Sequence, residues 1–95
     1  MIVVSITPNC ITVEGHAGYA EPGRDIVCAA VSVLIHNLVQ SIESLTEDSV
    51  KFNIRPGYAE IVYKDLSVEG RLLIDSFFIG VSDIVAAYAE YVQII

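Results

Sequence analysis

The residues of this chain best suited to covalent chemistry are a histidine and a cysteine that lie twelve positions apart, His16 and Cys28. A thiol attacks carbon only as the thiolate, and the first turn of a helix stabilises that anion through its dipole and its free N–H groups. A neighbouring imidazole can take the thiol proton and later deliver it to a leaving amine. The pair therefore points to a cysteine nucleophile with a histidine base.

Three features near this pair could position its side chains and admit a substrate. Asp25 is a good N-cap that places Cys28 in the first helical turn. We expect its carboxylate to hold the N–H of Cys28, a positional role, because its negative charge alone opposes a thiolate. Ser32 lies one turn later on the same face and can donate a hydrogen bond toward the sulfur. The loop of residues 15–23 contains three glycines and a proline, and we expect it to open for an extended peptide and then close.

These residues also have simpler explanations. Free cysteines are often buried as small hydrophobes, and a lone histidine after a strand is often a turn or core residue. A zinc site made from Cys10, His16, Cys28 and His36 is poor chemistry, because the sequence has no C-x-x-C knuckle. We therefore expect no metal and no cofactor. The residue types alone leave two functions open, a cysteine protease and a non-catalytic, dimeric α+β binding module.

The elements that must position the pair are two hairpins and two helices. Proline-containing turns separate two β-branched runs at residues 2–5 and 11–14, and two further predicted strands at residues 50–54 and 58–63. Asp25 and Ser67 are the N-caps of the two predicted helices. The order ββαββα predicts an α+β fold: a small antiparallel sheet from the two hairpins, with a possible short C-terminal strand, packed with two helices.

Apolar residues at helical spacing define the inner face of each helix. The first is predicted to be a central helix buried on more than one side, with its face formed by Val27, Val31, Leu34, Leu38, Ile42 and Leu45, and its apolar character extended by Ile26, Ile35 and Val39. The second is predicted to align Leu73, Phe77, Val81, Ile84, Tyr88 and Tyr91. Gly80 inside it costs about 1 kcal/mol relative to alanine, which a close crossing of the two helices would offset.

Composition limits the possible partners. The 95 residues suffice for one core, so residues 1–95 form a single domain. Hydrophobic residues make up 54 % of the chain and charged residues 18 %, which predicts a partly apolar surface and a homodimer. The net charge of −7 argues against nucleic-acid binding and favours association with a basic partner.

The sequence also indicates a compartment. The N-terminal stretch MIVVSITP has neither the basic leader nor the long apolar run of a signal peptide. No uncharged stretch reaches membrane-spanning length, and the longest apolar block, residues 26–35, is followed by His36 and Asn37. Two cysteines without an export signal are typical of free thiols in a reducing environment. We expect a cytoplasmic protein without a membrane partner.

The stretch GHAGYAEPGRDIVCAAVS, residues 15–32, resembles the signature of the ribosomal-processing cysteine protease family (Prp, also called YsxB-like). The matching positions are GHA at residues 15–17 and DIVCAAVS at residues 25–32, joined by a glycine-bearing loop. The end of the chain, GVSDIVAAYAEYVQII, is similar to the family's closing helix and short terminal strand. Ala89 departs from the family, which usually has proline there.

This resemblance implies a cysteine endopeptidase that removes the N-terminal extension of a large-subunit ribosomal protein during ribosome maturation. By position, Cys28 is the nucleophile and His16 the general base, and the supporting residues are Gly15, Asp25 and Ser32. The resemblance also implies a homodimer and a basic ribosomal substrate, which agree with the composition. A member acting on a phage protein is the alternative substrate assignment. We expect backbone N–H groups at the helix start to stabilise the oxyanion.

Overall fold

A computed structural model describes residues 1–95 as a five-stranded sheet packed with two helices. The elements along the chain are β1 (Ile2–Thr7), β2 (Cys10–Glu14), α1 (Ile26–Leu45), β3 (Lys51–Arg55), β4 (Tyr58–Val62), α2 (Val68–Ala87) and β5 (Val92–Ile94). The strands lie side by side in the order β3-β4-β2-β1-β5. The α+β fold and the ββαββα order are confirmed, and the short C-terminal strand is present.

Each hairpin turns on two residues, one of them proline. The β1–β2 turn consists of Pro8 and Asn9. The β3–β4 turn consists of Pro56 and Gly57, and the φ of +76° at Gly57 is the value that a type II turn requires at its second central residue. Both predicted hairpins are confirmed, with strand ends that differ from the prediction by one or two residues.

The direction of the last strand adds a feature that was not predicted: the four hairpin strands form the predicted antiparallel sheet, and β5 makes the whole sheet mixed. Strands β1 to β4 pair antiparallel, but β5 runs parallel to β1, with Ile2 beside Val92. The chain reaches β5 only after α2 has crossed back along the sheet, and such a crossover returns the chain in the direction of the first strand. Hairpin patterns carry no information on that direction.

Helix α1 begins where the sequence predicts and buries one broad face. Its buried residues join β1, β2, β4 and α2 in one core; they are Val27, Val31, Ile35, Leu38, Val39 and Ile42. Ile26 and Leu45, assigned to the apolar surface of the helix, are 56 % and 71 % exposed because they are its first and last residues. Helix α1 is therefore less buried than predicted, since only one broad face is covered. The length and mean hydropathy of α1 would also suit a membrane-spanning helix, but its buried face belongs to this core.

Helix α2 starts and crosses α1 as predicted. The hydroxyl of Ser67 accepts the N–H of Gly70 at 3.1 Å, which caps the helix. A Cβ atom added to Gly80 would lie 3.0 and 3.1 Å from the two methyl groups of Leu34. The close crossing that Gly80 predicts is thus confirmed.

The end of α2 differs from the prediction and bears on the loop of residues 15–23. The helix ends at Ala87 with Tyr88 as its C-cap, so the prediction that Tyr91 continues the helical face is wrong. Tyr91 lies in the turn before β5. Its ring and that of Tyr88 nevertheless contact the same side chain, since the Tyr19 ring lies edge-on to both, with centroids 5.2 and 5.5 Å away. The segment after α2 therefore packs against the loop.

Candidate active site

His16 owes its position to a glycine on one side and a turn on the other. Gly15 has a φ of +98° and donates its N–H to the carbonyl of Gly57 at 2.9 Å. A Cβ on Gly15 would collide with the carbonyl oxygen of Met1, so only glycine fits there. The imidazole of His16 then rests against the β3–β4 turn, where a Cβ added to Gly57 would be 2.8 Å from Nε2.

Cys28 is a partly buried residue in the first turn of α1. Its sulfur accepts a hydrogen bond from the backbone N–H of Ala17 at 3.3 Å, and the Ala17 side chain is itself buried. Cys28 and His16 line the same cavities, but the imidazole and the sulfur are not hydrogen-bonded in this conformation. The approach of the base to the sulfur through loop closure stays a prediction.

The Asp25 carboxylate ties the loop to the start of α1. Its Oδ1 accepts the N–H groups of Val27 and Cys28 at 3.0 and 2.9 Å. Its Oδ2 accepts those of Tyr19 and Ala20 at 3.0 and 3.3 Å. The hydrogen bond from the Cys28 N–H is the main reason why the pKa of Asp25 lies below its ordinary value. The bonds from the Ala20 and Tyr19 N–H groups and from the Cys28 side chain lower the pKa further, whereas burial raises it. This agrees with the positional role predicted for Asp25.

The same hydrogen bonds revise the expected oxyanion donors. The N–H groups of Val27 and Cys28 at the helix start already bond to Asp25, and that of Ala29 bonds to the Asp25 carbonyl at 3.1 Å. These groups are therefore not free to bind a reacting carbonyl. The Ala17 N–H is the backbone donor that contacts the Cys28 sulfur.

Two clefts meet at the proposed catalytic pair and share His16, Cys28 and Ser32. The turn cleft, of about 230 Å³, lies between α1 and the β3–β4 turn and includes residues 54–58 in its lining. The loop cleft, of about 440 Å³, lies between α1 and the loop, and its lining includes Gly23 and Asp25. Both clefts therefore reach Cys28. Ser32 is exposed on the wall of both clefts, and its hydroxyl is not bonded to the sulfur in this conformation.

Several residues of the site were missed from the sequence. His36, interpreted as a mid-helix residue among apolar neighbours, is exposed and lines the turn cleft. Its spacing of two turns from Cys28 is the signal that was available. Arg55 and Gly57 also line this cleft, but no local pattern connects them to His16. The four residues considered for zinc are not gathered, and no group of three or more His, Cys, Asp or Glu side chains is spaced to hold a metal ion.

Comparison with known proteins identifies the family of this fold and site. The sequence model of a family described as cysteine protease Prp matches residues 1–93. The chain belongs to the cysteine protease Prp family. It is therefore a cysteine protease, a hydrolase, as the resemblance in residues 15–32 implies.

Individual Prp proteins resemble the chain over different lengths. The ribosomal processing cysteine protease Prp of Staphylococcus aureus is 28 % identical, over 99 % of this chain and 97 % of that protein. The protein of the same name from Mycoplasma genitalium is 42 % identical, but over only 55 % of this chain and 50 % of that relative. A crystal structure of S. aureus Prp with a covalently linked product peptide superposes with a TM-score of 0.92 at 26 % identity, covering 99 % and 97 % of the two chains.

Proposed function

We propose that this member of the Prp family is an endopeptidase that removes the N-terminal extension of a large-subunit ribosomal protein during ribosome maturation. The name of its relatives, ribosomal processing cysteine protease, supports the substrate class, and the product peptide covalently linked to S. aureus Prp supports a peptide ligand. The observation that carries the proposal is the Cys28 sulfur, which accepts the Ala17 N–H at 3.3 Å where two clefts meet beside His16.

In the proposed reaction His16 takes the proton of the Cys28 thiol, and the thiolate attacks the carbonyl carbon of the scissile peptide bond. The Ala17 N–H stabilises the anionic sulfur and is the candidate donor to the oxyanion. The C–N bond then breaks as His16 protonates the leaving amine, which leaves a thioester on Cys28. Water, deprotonated by His16, hydrolyses the thioester and restores the thiol.

The other predicted residues have positioning roles in this scheme. Gly15 gives the chain the left-handed turn that aims His16 at the clefts. Asp25 fixes the first turn of α1 and, through Tyr19 and Ala20, the loop that faces it. Ser32 presents a hydroxyl on the cleft wall one turn beyond the sulfur. For catalysis the imidazole must come within hydrogen-bond reach of Cys28 while the β3–β4 turn supports the ring, which loop closure over a bound peptide would favour.

The proposal includes a basic substrate and a cytoplasmic location. A protein with net charge −7 attracts basic ribosomal proteins mainly by raising the association rate. Cys10 and Cys28 are both free thiols, which suits a reducing compartment. Because the attraction is electrostatic, added salt should slow association with the basic substrate. Cell fractionation with an antibody to the protein tests the cytoplasmic location.

The proposal also includes a homodimer, supported by an exposed apolar stripe on α2. Val68, Leu72 and Ile79 share one face at helical spacing and are 82 %, 67 % and 62 % exposed. A monomeric protein rarely exposes such a stripe. Analytical ultracentrifugation should give twice the chain mass, and Leu72→Gln combined with Ile79→Gln should shift the protein to the monomer. A wild-type monomer at tens of micromolar contradicts the dimer.

The substrate assignment is tested by incubating the purified protein with an N-terminally extended ribosomal protein and measuring the product masses. We expect one cleavage that removes the extension, lost in Cys28→Ser and retained in the matched control Cys10→Ser. No cleavage by folded wild-type protein contradicts the ribosomal substrate, and cleavage by Cys28→Ser contradicts the nucleophile. A phage protein with a similar extension, tested in parallel, separates the alternative substrate.

A further inference from the structure

The loop that follows β2 begins with three residues that are fixed to the rest of the chain. The Gly15 N–H bonds to the carbonyl of Gly57 at 2.9 Å. The carbonyl of His16 accepts a hydrogen bond from the nitrogen of Met1 at 2.7 Å. The side chain of Ala17 is buried in the core. These contacts fix the proposed base and the N–H donor of the sulfur independently of the rest of the loop.

The rest of the loop lies between two glycines that have open space around them. Gly18 and Gly23 have positive φ values, +71° and +87°, and a Cβ atom added to either would meet no atom within 4 Å. Residues 19–22, here called the lid segment, are all exposed. Their hydrogen bonds and their ion pair have partners only within residues 19–25. The lid segment can therefore turn about its two ends unless a side chain ties it to the body of the protein.

Tyr19 supplies that tie. Its ring meets the rings of Tyr88 and Tyr91 edge-on, with centroids 5.5 and 5.2 Å away. The two receiving side chains are well supported, because both pack against the core and the Tyr91 carbonyl accepts the N–H of Ile2 at 2.8 Å. Each edge-to-face contact shifts an equilibrium by about twofold to tenfold. Such contacts hold the lid segment in place but can be broken and remade.

The lid segment forms one wall of the loop cleft. Ala20 and Pro22 line this cleft, and α1 contributes Cys28 to its lining. Tyr19 is not a lining residue, so its ring acts on a bound peptide only through the wall that it holds in place. The apparent affinity for a ligand is proportional to the fraction of molecules that already have the binding conformation. A wall that is held in place therefore binds a peptide more tightly than one that moves.

We infer that Tyr19 is a positioning residue, whose contact with Tyr88 and Tyr91 latches the lid segment beside the loop cleft, so that this wall is in place when the substrate peptide binds. The inference rests on the proposed function and refines it. Because residues 15–17 are fixed separately, loss of the latch should weaken peptide binding and leave the chemical step at Cys28 nearly unchanged.

The test compares Tyr19→Ala with the matched variant Tyr19→Phe, which keeps the ring. The probe is a fluorescent peptide that spans the extension of the ribosomal protein. Its binding is measured by anisotropy in the Cys28→Ala background, and kcat and KM are measured with Cys28 intact. Tyr19→Ala should raise Kd and KM about fivefold to tenfold and keep kcat within about twofold of the wild-type value. Tyr19→Phe should keep all three wild-type values.

The receiving side of the latch gives a second test. Tyr88→Leu keeps an apolar side chain against the core but removes one of the two ring contacts with Tyr19, so it should also raise KM. Since both variants break the same contact, their combined effect on KM should be smaller than the product of the separate effects. Effects that multiply fully would contradict a latch between these two residues.

Hydrogen exchange gives a readout that needs no peptide. The N–H of Ala20 bonds to Oδ2 of Asp25, so its protection reports whether the lid segment is in place. After correction for the local sequence, this N–H should exchange about fivefold to tenfold faster in Tyr19→Ala than in Tyr19→Phe. The N–H of Ala17 should exchange at the same rate in both variants.

These measurements separate the latch from the proposed function. Cleavage with an unchanged KM in Tyr19→Ala, whatever happens to kcat, overturns the latch and leaves the endopeptidase assignment intact. A lower KM in Tyr19→Ala means that the loop obstructs the peptide, which also overturns it. Faster exchange at Ala20, without binding or cleavage of the peptide, supports the latch and contradicts the ribosomal substrate. Equal exchange in the two variants, without binding or cleavage, contradicts both.

Discussion

The two cysteines of this chain are both free and partly buried, but the polar groups nearest to their sulfur atoms have opposite charge. The sulfur of Cys28 accepts a backbone N–H from Ala17, and it lies where a helix begins. Cys10 lies near the carboxylate of Glu60, and burial, followed by that negative charge, raises the pKa of its thiol. The difference teaches that two partly buried thiols can face polar groups of opposite charge, a backbone N–H at Cys28 and a carboxylate at Cys10.

Secondary structure explains why only one of the two sulfurs accepts a backbone N–H. Cys10 begins β2 and is paired on both sides, with Thr7 of β1 and Val62 of β4, so the N–H groups near it belong to the sheet. At the start of a helix the first N–H groups have no partner within the helix. Asp25 takes two of them at α1, and this fixes the turn that presents the Cys28 sulfur to the Ala17 N–H.

The largest expected effect comes from removing the base beside Cys28. His16→Ala should lower kcat/KM by about 10²-fold to 10⁴-fold, with little change in Tm because His16 is exposed. Peptide cleavage assays measure the loss, and added imidazole should restore part of the activity. Cys10→Ser should retain wild-type activity. A His16→Ala protein with more than about a tenth of the wild-type activity contradicts the role of the base.

The next effect comes from the turn that contacts His16. Gly57→Ala places a Cβ where the ring now lies and should lower kcat/KM by about 10²-fold by displacing the imidazole. Gly23→Ala is the matched variant, since Gly23 also has a positive φ, +87°, but a Cβ there meets no atom within 4 Å. Both variants strain the backbone. A loss of activity in Gly23→Ala as large as that in Gly57→Ala would show that strain, rather than the contact with His16, causes it.

A smaller effect is expected from the cap of α1, for which α2 offers a control. Asp25→Ala and Ser67→Ala each remove an N-cap and should each lower Tm by about 4–8 °C. Only Asp25→Ala should also lower kcat/KM, by about tenfold, because Asp25 orients the first turn around Cys28 and the facing loop. Thermal melts and cleavage assays measure both quantities. Equal losses of activity in the two variants contradict a positional role for Asp25.

The smallest effect concerns acid stability. The pKa of Asp25 is lowered in the folded protein, so its ionised form contributes stability above the unfolded value, and this contribution is lost as the pH falls through the folded value. Below about pH 4 the free energy of unfolding should therefore fall less steeply in Asp25→Asn than in the wild type. Urea titrations at several pH values measure the slope, and Ser67→Ala should keep the wild-type slope. Identical slopes in Asp25→Asn and wild type contradict this linkage.

Much of the frame around Cys28 is predictable because it depends on neighbouring residues. The N-caps Asp25 and Ser67, the proline turns and the crossing at Gly80 each follow from a local rule, since a cap or a turn is formed by residues a few positions apart. The roles of His16 and Cys28 as base and nucleophile are still predictions, although the structure places both in the same clefts.

The remainder of the site depends on contacts between distant segments. His16 meets Gly57 only because β2 pairs with β4, which sets Glu14 opposite Tyr58. The donor to the Cys28 sulfur is a backbone N–H, that of Ala17, and the type of a side chain says nothing about the direction of its backbone group. The direction of β5 likewise follows from the crossover made by α2. These features require the sheet order, which short sequence patterns do not encode.

The central claim, that the start of α1 activates Cys28 and that the surroundings of Cys10 do not, is tested most directly by alkylation. Both thiols are treated with iodoacetamide at about pH 6.5, and mass spectrometry follows each site in wild type and in His16→Ala. We expect Cys28 to react at least about tenfold faster than Cys10 and to slow in His16→Ala, while Cys10 is unaffected. Equal rates at the two thiols, or a faster reaction at Cys10, would contradict the claim.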